Sequence, residues 1–204
     1  MSRPRGFSPI RDLPALLWLI ATGATTLVHP FIPAPRWLMM HLLLLGAVTH
    51  SIMVWSRHFA DTLLHVAPAT TATRTRRLLL LNGGVLVVIA GVLLATWPVA
   101  AVGAGAVVIA VVWHGVDLFR DLRRALAGRF AVTVRYYVAA AALLPIGAGL
   151  GALMVRGLDA QLQIRAMLAH AALNVLGWMG LTVVGTLLTL WPTMLRTRIP
   201  EGAE

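Results

Sequence analysis

The stretch Leu78–Val116, LLLLNGGVLVVIAGVLLATWPVAAVGAGAVVIAVVWHGV, decides the fold of this chain. It runs for 39 residues without Asp, Glu, Lys or Arg. Because about 20 apolar residues in a helix cross the hydrocarbon core of a bilayer, the run is too long for a single crossing. Trp97 and Pro98 lie near its middle, and proline interrupts a helix. The run therefore predicts two membrane-spanning helices joined by a tight turn at Trp97-Pro98.

The rest of the 204-residue chain has the same character, with 59% hydrophobic residues, 12% charged residues and a mean hydropathy of +0.83. This composition excludes a soluble enzyme, a secreted disulfide scaffold and a disordered tail. We predict an all-α integral membrane bundle, a single domain over residues 1–204, with six transmembrane helices. The predicted spans lie near residues 13–33, 36–60, 78–97, 99–118, 134–155 and 164–194.

The net charge of +10 arises from 17 arginines, and their positions predict the topology. Only Arg36, Arg156 and Arg165 lie at one end of the predicted spans, and the other 14 lie at the opposite end. By the positive-inside rule both termini are cytoplasmic, in a multi-pass protein of the plasma membrane. These arginines are juxtamembrane and lack interleaved aromatic residues, which favours anionic lipid as their partner and argues against nucleic acid.

The chain has no cysteine, so a metal would have to be held by His, Met, Asn or carboxylate side chains. Intramembrane ionisable residues are costly and are by default candidates for a functional site. All seven histidines lie in or beside the predicted spans: His29, His41, His50, His58, His65, His114 and His170.

Two of these histidines occupy matching positions. His41 follows Arg36 by five residues, and His170 follows Arg165 by five residues. Both helices run inward from the outer face, so both imidazoles lie roughly 7 Å below their arginines. Two imidazoles at one depth on helices that stand apart can supply both axial ligands of a b-type haem lying between them. We therefore take His41 and His170 as candidate haem ligands.

Other residues of the same spans extend this candidate site. Asn174 and Gly177 share a helix face with His170, and Gly46 follows His41, so a flat ring has room there. Glycine in a membrane helix serves helix packing more often than cofactor contact. His114, in the inner half of span four, is a candidate ligand of a second centre or a member of a proton path.

A second ligand set lies at the same outer end. Cu(I) favours thioether with imidazole, and the alternative interpretation of the methionines is apolar filling. The set comprises His29, Met39, Met40, His41, Met167 and His170.

Two further patterns predict structure rather than chemistry. Gly147 and Gly151 predict a packing face on span five, where Pro145 predicts a kink. Asp117 and Asp121 lie among arginines, and this predicts a solvated extension of span four. No nucleotide-binding loop, Ser/His/Asp set or pair of carboxylates occurs within a predicted span.

The segments 41–64, 129–154 and 170–199 resemble the N-terminal membrane region of actinobacterial proteins of the copper nitrite reductase and multicopper oxidase type. A more distant likeness is to haem–copper oxidase catalytic subunits and to haem- and copper-containing membrane proteins of the nitric oxide response. The resemblance implies electron transfer through membrane haem, with copper as a second cofactor, and places His41, His114 and His170 on the family's motif histidines. His50 stands where Asn is expected. No cupredoxin domain is present in this sequence, so both a stand-alone relative and a truncated piece remain open. The resemblance therefore does not imply nitrite reduction by this chain.

The leading hypothesis is a membrane protein that binds b-type haem and exchanges electrons with an extracytoplasmic cupredoxin or cytochrome. The alternatives are a copper transport or delivery protein and a structural anchor for a redox complex. A homo-oligomer is also compatible with the sequence.

Overall fold

The structure, a computed structural model, describes residues 9–65, 70–125 and 131–195. Of these residues 93% are helical, and none of them lies in a strand. They include six helices long and apolar enough to cross a membrane, which is the number that the sequence predicts. The helices are α1 (Arg11–Phe31), α2 (Pro35–Leu64), α3 (Thr71–Leu93), α4 (Trp97–Arg124), α5 (Ala131–Arg156) and α6 (Ala160–Trp191).

Some of the arginines behind the predicted topology lie outside the described residues. These are Arg3, Arg5, Arg129, Arg196 and Arg198.

The outer surface of the bundle is apolar. Leu27, Phe31 and Leu176 are 83%, 88% and 70% exposed, and many other large apolar side chains also point outward. Water would drive such a surface to associate, whereas lipid tails solvate it. The surface therefore suits a bilayer.

The turn between α3 and α4 falls slightly earlier than predicted. The break lies at residues 94–96, and α4 begins at Trp97 with Pro98 in its first turn. Proline suits this place because the first turn of a helix has no internal partner for its N–H groups. Ala95 has a φ of 51°, and Thr96 N–H donates to Gly91 O at 2.7 Å, which closes the end of α3.

Glycines bring α3 and α4 into close contact. A Cβ at Gly91 would lie 2.3 Å from Ala100 N, and a Cβ at Gly103 would lie 2.4 Å from Val88 N. Both clashes are with backbone atoms, which cannot move aside as the end of a flexible side chain can. The two helices therefore require the absence of these side chains.

We expect Gly103→Ala to lower the free energy of unfolding by about 1–3 kcal/mol, the usual range for overpacking. Gly105, two residues further along α4, is the matched control, because a Cβ there meets nothing within 4 Å. Gly105→Ala should be neutral or stabilising by roughly 0.5–1 kcal/mol. Thermal unfolding in detergent, followed by circular dichroism, measures both. Equal losses would show that α3 and α4 do not pack as described.

The helices form two groups that share a core. α4 packs between α3 and α5, and α6 covers the other side of α5, while α1 packs against α2 and α3. The core between them contains the fully buried Met53, Leu81 and Trp178, and a second cluster contains Tyr137 with Leu118. The backbones of α2 and α6 approach each other less closely than those of these neighbours. Side chains, rather than closely packed backbones, therefore fill the space between α2 and α6.

α2 and α6 also share an irregularity. Each changes from α-helix to π-helix directly after its histidine, at Leu42–Val48 in α2 and at Ala172–Gly180 in α6. π-helical segments are rare and occur frequently at functional sites. The correspondence between the two helices thus extends beyond the shared spacing of Arg and His.

The prediction for Asp117 and Asp121 is wrong. Instead of forming a solvated extension, they pair across helices, Asp117 with Arg77 at 3.0 Å and Asp121 with Arg57 at 2.6 Å. Asp61 contacts Arg57 as well as Arg74, at 2.5 and 2.7 Å. Arg57 and Arg77 are buried, Arg74 is partly buried, and a buried guanidinium needs carboxylate partners. We call this group the charged cluster: Arg57, Asp61, Arg74, Arg77, Asp117 and Asp121.

Candidate functional site

His41 ends the first α-helical part of α2 and is partly buried. Its Nδ1 lies 2.8 Å from Trp37 O, one turn earlier in the same helix. The indole of Trp37 stacks on the imidazole, with ring centres 4.1 Å apart and planes 22° apart. Since a carbonyl only accepts, Nδ1 carries the proton, and Nε2 keeps its lone pair.

His170 is held by the neighbouring helix. Its Nδ1 lies 2.8 Å from Gly147 O of α5, so this imidazole also carries its proton on Nδ1. A Cβ at Gly151 would lie 3.0 Å from His170 Cε1, and a Cβ at Gly147 would lie 2.4 Å from Asn174 Nδ2. Asn174 Nδ2 donates to His170 O at 2.7 Å. The small residues of α5 thus form a packing face, and that face receives His170 and Asn174.

The two imidazoles lie close together between α2 and α6, with their rings stacked. Their ring centres are 6.2 Å apart, and their planes differ by 26°. An imidazole nitrogen binds a first-row metal at about 2.0 Å, and the ring centre lies roughly 1 Å behind that nitrogen, so opposed ligands have centres about 6 Å apart. The observed 6.2 Å is close to this value, and because the rings are stacked, ligation would require the two Nε2 atoms to turn towards each other. We call His41 and His170 the histidine pair.

The donor set fits a haem better than a bare metal ion. Among the described residues no group of three or more His, Asp or Glu side chains could hold a metal. A bare ion at the histidine pair would therefore lack ligands, whereas a porphyrin supplies four equatorial nitrogens and needs only two axial ones. The Nδ1–H bonds to backbone carbonyls are the usual outer contacts of a ligating histidine. His41 and His170, each with an unprotonated Nε2, are thus the residues that would hold a haem.

The methionines of the predicted copper set do not converge on the histidine pair. Met40 and Met167 are each 53% exposed on the outer surface. Met39 Sδ accepts a hydrogen bond from Thr26 Oγ1 at 3.3 Å. His29 is exposed, and its Nδ1 lies 3.0 Å from Thr26 O. This arrangement favours the interpretation of the methionines as apolar filling.

Gly46 and Gly177 lie against neighbouring helices. A Cβ at Gly46 would lie 2.7 Å from the Trp18 ring, and one at Gly177 would lie 2.8 Å from Leu143 Cδ1. Both positions therefore serve helix packing, the role that glycine in membrane helices has most often.

His50 belongs to a polar network that sequence reasoning missed. Its Nε2 lies 2.9 Å from Arg11 O, and its Nδ1 lies 3.0 Å from Asn82 Nδ2. Asn82 Oδ1 accepts from Trp18 Nε1 at 2.7 Å. The network joins α1, α2 and α3 and uses both nitrogens of His50. Asn82 is a polar residue inside the predicted span 78–97, and that was the available signal.

His114 is 1% exposed and lies beside Ser56 of α2, with 2.8 Å between Nε2 and Oγ. Among the described residues Nδ1 of His114 has no hydrogen-bond partner. A buried polar atom in this state is costly and needs an explanation. His114 is separate from the histidine pair and lies towards the charged cluster. His58 packs its ring against Trp55 and Phe59, and His65 is exposed at the end of α2.

The fold and this site define a class of protein, a helical bundle suited to a membrane in which two helices bring two histidines close together. No protein-family model, curated protein or solved structure matches the chain.

Proposed function

We propose that this protein is a multi-pass protein of the plasma membrane that binds b-type haem through His41 and His170 and transfers electrons. Its partner is an extracytoplasmic copper or haem protein. The observation that supports this most strongly is the histidine pair, with ring centres 6.2 Å apart and both Nδ1 atoms bonded to backbone carbonyls.

The distribution of arginine supports the orientation. Arg36 and Arg165 lie in the first turns of the two helices, at the end that carries the histidine pair, and most other arginines lie at the opposite end. The positive-inside rule places both termini in the cytoplasm and the histidine pair near the outer face. An electron carrier at that level is close to soluble redox proteins outside the cell.

Each residue of the site has a definable task. Bound haem would supply one-electron chemistry at its iron. The carbonyls of Trp37 and Gly147 hold the imidazoles in one tautomer and one orientation. Asn174 ties the backbone of His170 to the small-residue face of α5. The surrounding apolar helices keep water and mobile charge away, and this raises the influence of fixed dipoles on the potential.

An absorption spectrum of the detergent-solubilised protein, oxidised and then reduced with dithionite, tests the proposal. We expect a Soret band and sharp low-spin bands on reduction, with haem b released in a pyridine haemochromogen assay. Absence of haem after expression with haem precursors would refute the proposal. Copper without haem, lost on replacement of Met40 and Met167, would instead support the copper interpretation.

A further inference from the structure

α2 and α6 also border a groove. It has a volume of about 380 Å³ and lies between α1, α2 and α6. It begins beside Thr49 and Trp178, which form a 3.3 Å hydrogen bond between α2 and α6, and extends along α2 as far as Phe59. The size is within the range of small-molecule sites. The groove therefore lies below the histidine pair, on the same two helices.

The walls of the groove are apolar, with a few hydroxyl groups. Trp55 and Phe59 supply aromatic rings. Each hydroxyl group lies 2.6–2.8 Å from a carbonyl of its own helix, and a hydroxyl that donates there offers only lone pairs to a ligand. These hydroxyl groups belong to Ser51, Ser56, Thr182 and Thr186. Ser56 Oγ also lies 2.8 Å from His114 Nε2, and Thr186 Oγ1 lies 2.8 Å from the Tyr137 hydroxyl.

Behind this wall lies His114. It contacts the groove through Ser56 Oγ and has an Nδ1 without a partner among the described residues. A buried imidazole that is not fully bonded is a poor neighbour for a hydrocarbon chain, and intramembrane ionisable groups are by default functional. The groove thus combines apolar walls, aromatic rings, hydrogen-bond acceptors and one buried base.

We propose that this groove binds a membrane-dissolved quinol, the electron donor to the haem of the proposed function. A quinol has an aromatic ring for Trp55 and Phe59, hydroxyl groups for the acceptors, and an apolar tail that leaves into lipid past Leu19 and Leu187. A lipid acyl chain has no hydroxyl group and would make no hydrogen bond to the acceptors of the groove. The assignment of the electron acceptor rests on the proposed function, but binding in the groove does not.

The quinol loses two electrons and two phenolic protons and becomes the quinone. A haem held by His41 and His170 would supply the one-electron acceptor, and an extracytoplasmic copper or haem protein would be the oxidant that finally takes both electrons. With the proton of His114 on Nδ1, the Ser56 hydroxyl turns from Ile52 O to donate to Nε2, which is 2.8 Å away. Each phenolic proton then passes to Ser56 Oγ as this hydroxyl gives its own hydrogen to Nε2. His114 Nδ1 has no partner among the described residues, and it releases a proton to water.

Binding is tested with menadione as the probe, through quenching of tryptophan fluorescence in the full-length protein in detergent. We expect a saturable phase, because a site fills whereas partition into detergent does not. Val183→Phe should abolish this phase, since Val183 lines the groove and is 54% exposed. Val184→Phe is the matched control, because the neighbouring Val184 is similarly exposed but lies outside the groove lining. Ser56→Ala should weaken binding by about two- to ten-fold, the effect of one hydrogen bond.

Electron transfer is tested with menadiol in the haem-loaded protein. Val183→Phe should slow reduction of the haem at least ten-fold, while Val184→Phe and reduction by dithionite stay unchanged. A saturable phase that persists in Val183→Phe, or is missing from the unaltered protein, would overturn the quinol site and leave the groove to lipid tails. A protein without a Soret band would refute the haem alone, because the fluorescence experiment still decides the quinol site.

Discussion

Replacing His170 with alanine is expected to abolish the low-spin haem spectrum. The imidazole is one of two axial ligands in the proposed site, and the space between α2 and α6 offers no substitute of its kind among the described residues. The same result is expected for His41→Ala. The reduced spectrum and the haem content per protein measure the effect. In each single variant the remaining histidine can still bind haem, and we expect such haem to be high-spin and less tightly held.

The control and a second variant make this prediction specific. His58→Ala should leave the spectrum unchanged, because His58 lies with Trp55 and Phe59 near the far end of α2. His41→Met should keep haem bound and raise its reduction potential, because methionine is a poorer donor to ferric iron. A low-spin spectrum that survives loss of both His41 and His170 would show that haem binds elsewhere.

Replacing Arg77 with alanine is expected to lower the free energy of unfolding by about 3–5 kcal/mol, the range for removing one partner of a buried ion pair. Arg77 is 2% exposed and pairs with Asp117 at 3.0 Å. Its loss leaves the Asp117 carboxylate inside the bundle without that partner. Equilibrium unfolding in mixed micelles of detergent and SDS measures the change.

The adjacent arginine provides the matched control. Arg76 is exposed, so Arg76→Ala should change stability by no more than about 0.5 kcal/mol. The double variant Arg77→Leu with Asp117→Leu should recover most of the lost stability, because it removes both charges together. If Arg76→Ala and Arg77→Ala have equal effects, the charged cluster is not buried as described.

The charged cluster explains how three helices are aligned at one end of the bundle. Arg57 of α2 contacts Asp121 of α4, and Arg77 of α3 contacts Asp117 of α4. Arg57 Nη1, Arg74 Nε and Arg77 Nε are buried and have no partner among the described residues. Internal water bound to these donors would satisfy them.

Sequence periodicity and charge predicted the elements well because each depends on local chemistry. The predicted spans agree with α1–α6 to within a few residues at most ends, as far as the described residues extend. The larger differences lie at the ends of α2, α3 and α4, which continue as helix beyond the uncharged runs. Those extensions carry the charged cluster. Uncharged runs mark where lipid requires apolar residues, and not where a helix stops.

The site was only partly predictable. The matched spacing from Arg36 to His41 and from Arg165 to His170 indicated equal depth, and depth along a helix is a property of the sequence. Which helices become neighbours, in contrast, cannot be determined from the sequence of one helix. Asn82 and Ser56 were missed because a single polar residue in an apolar run does not reveal its partner, and Trp18 and His114 lie on other helices.

By itself the sequence determined the number of helices, their approximate limits and the depth of the two histidines, because hydrophobic length and helical rise act within one segment. Only the tertiary structure decided that the imidazoles lie 6.2 Å apart, that Gly147 O orients His170, and that Asp117 and Asp121 are paired with arginines of other helices. The physical reason is that these contacts join residues far apart in the chain. Their distances depend on how side chains pack between helices, and no local pattern encodes that packing.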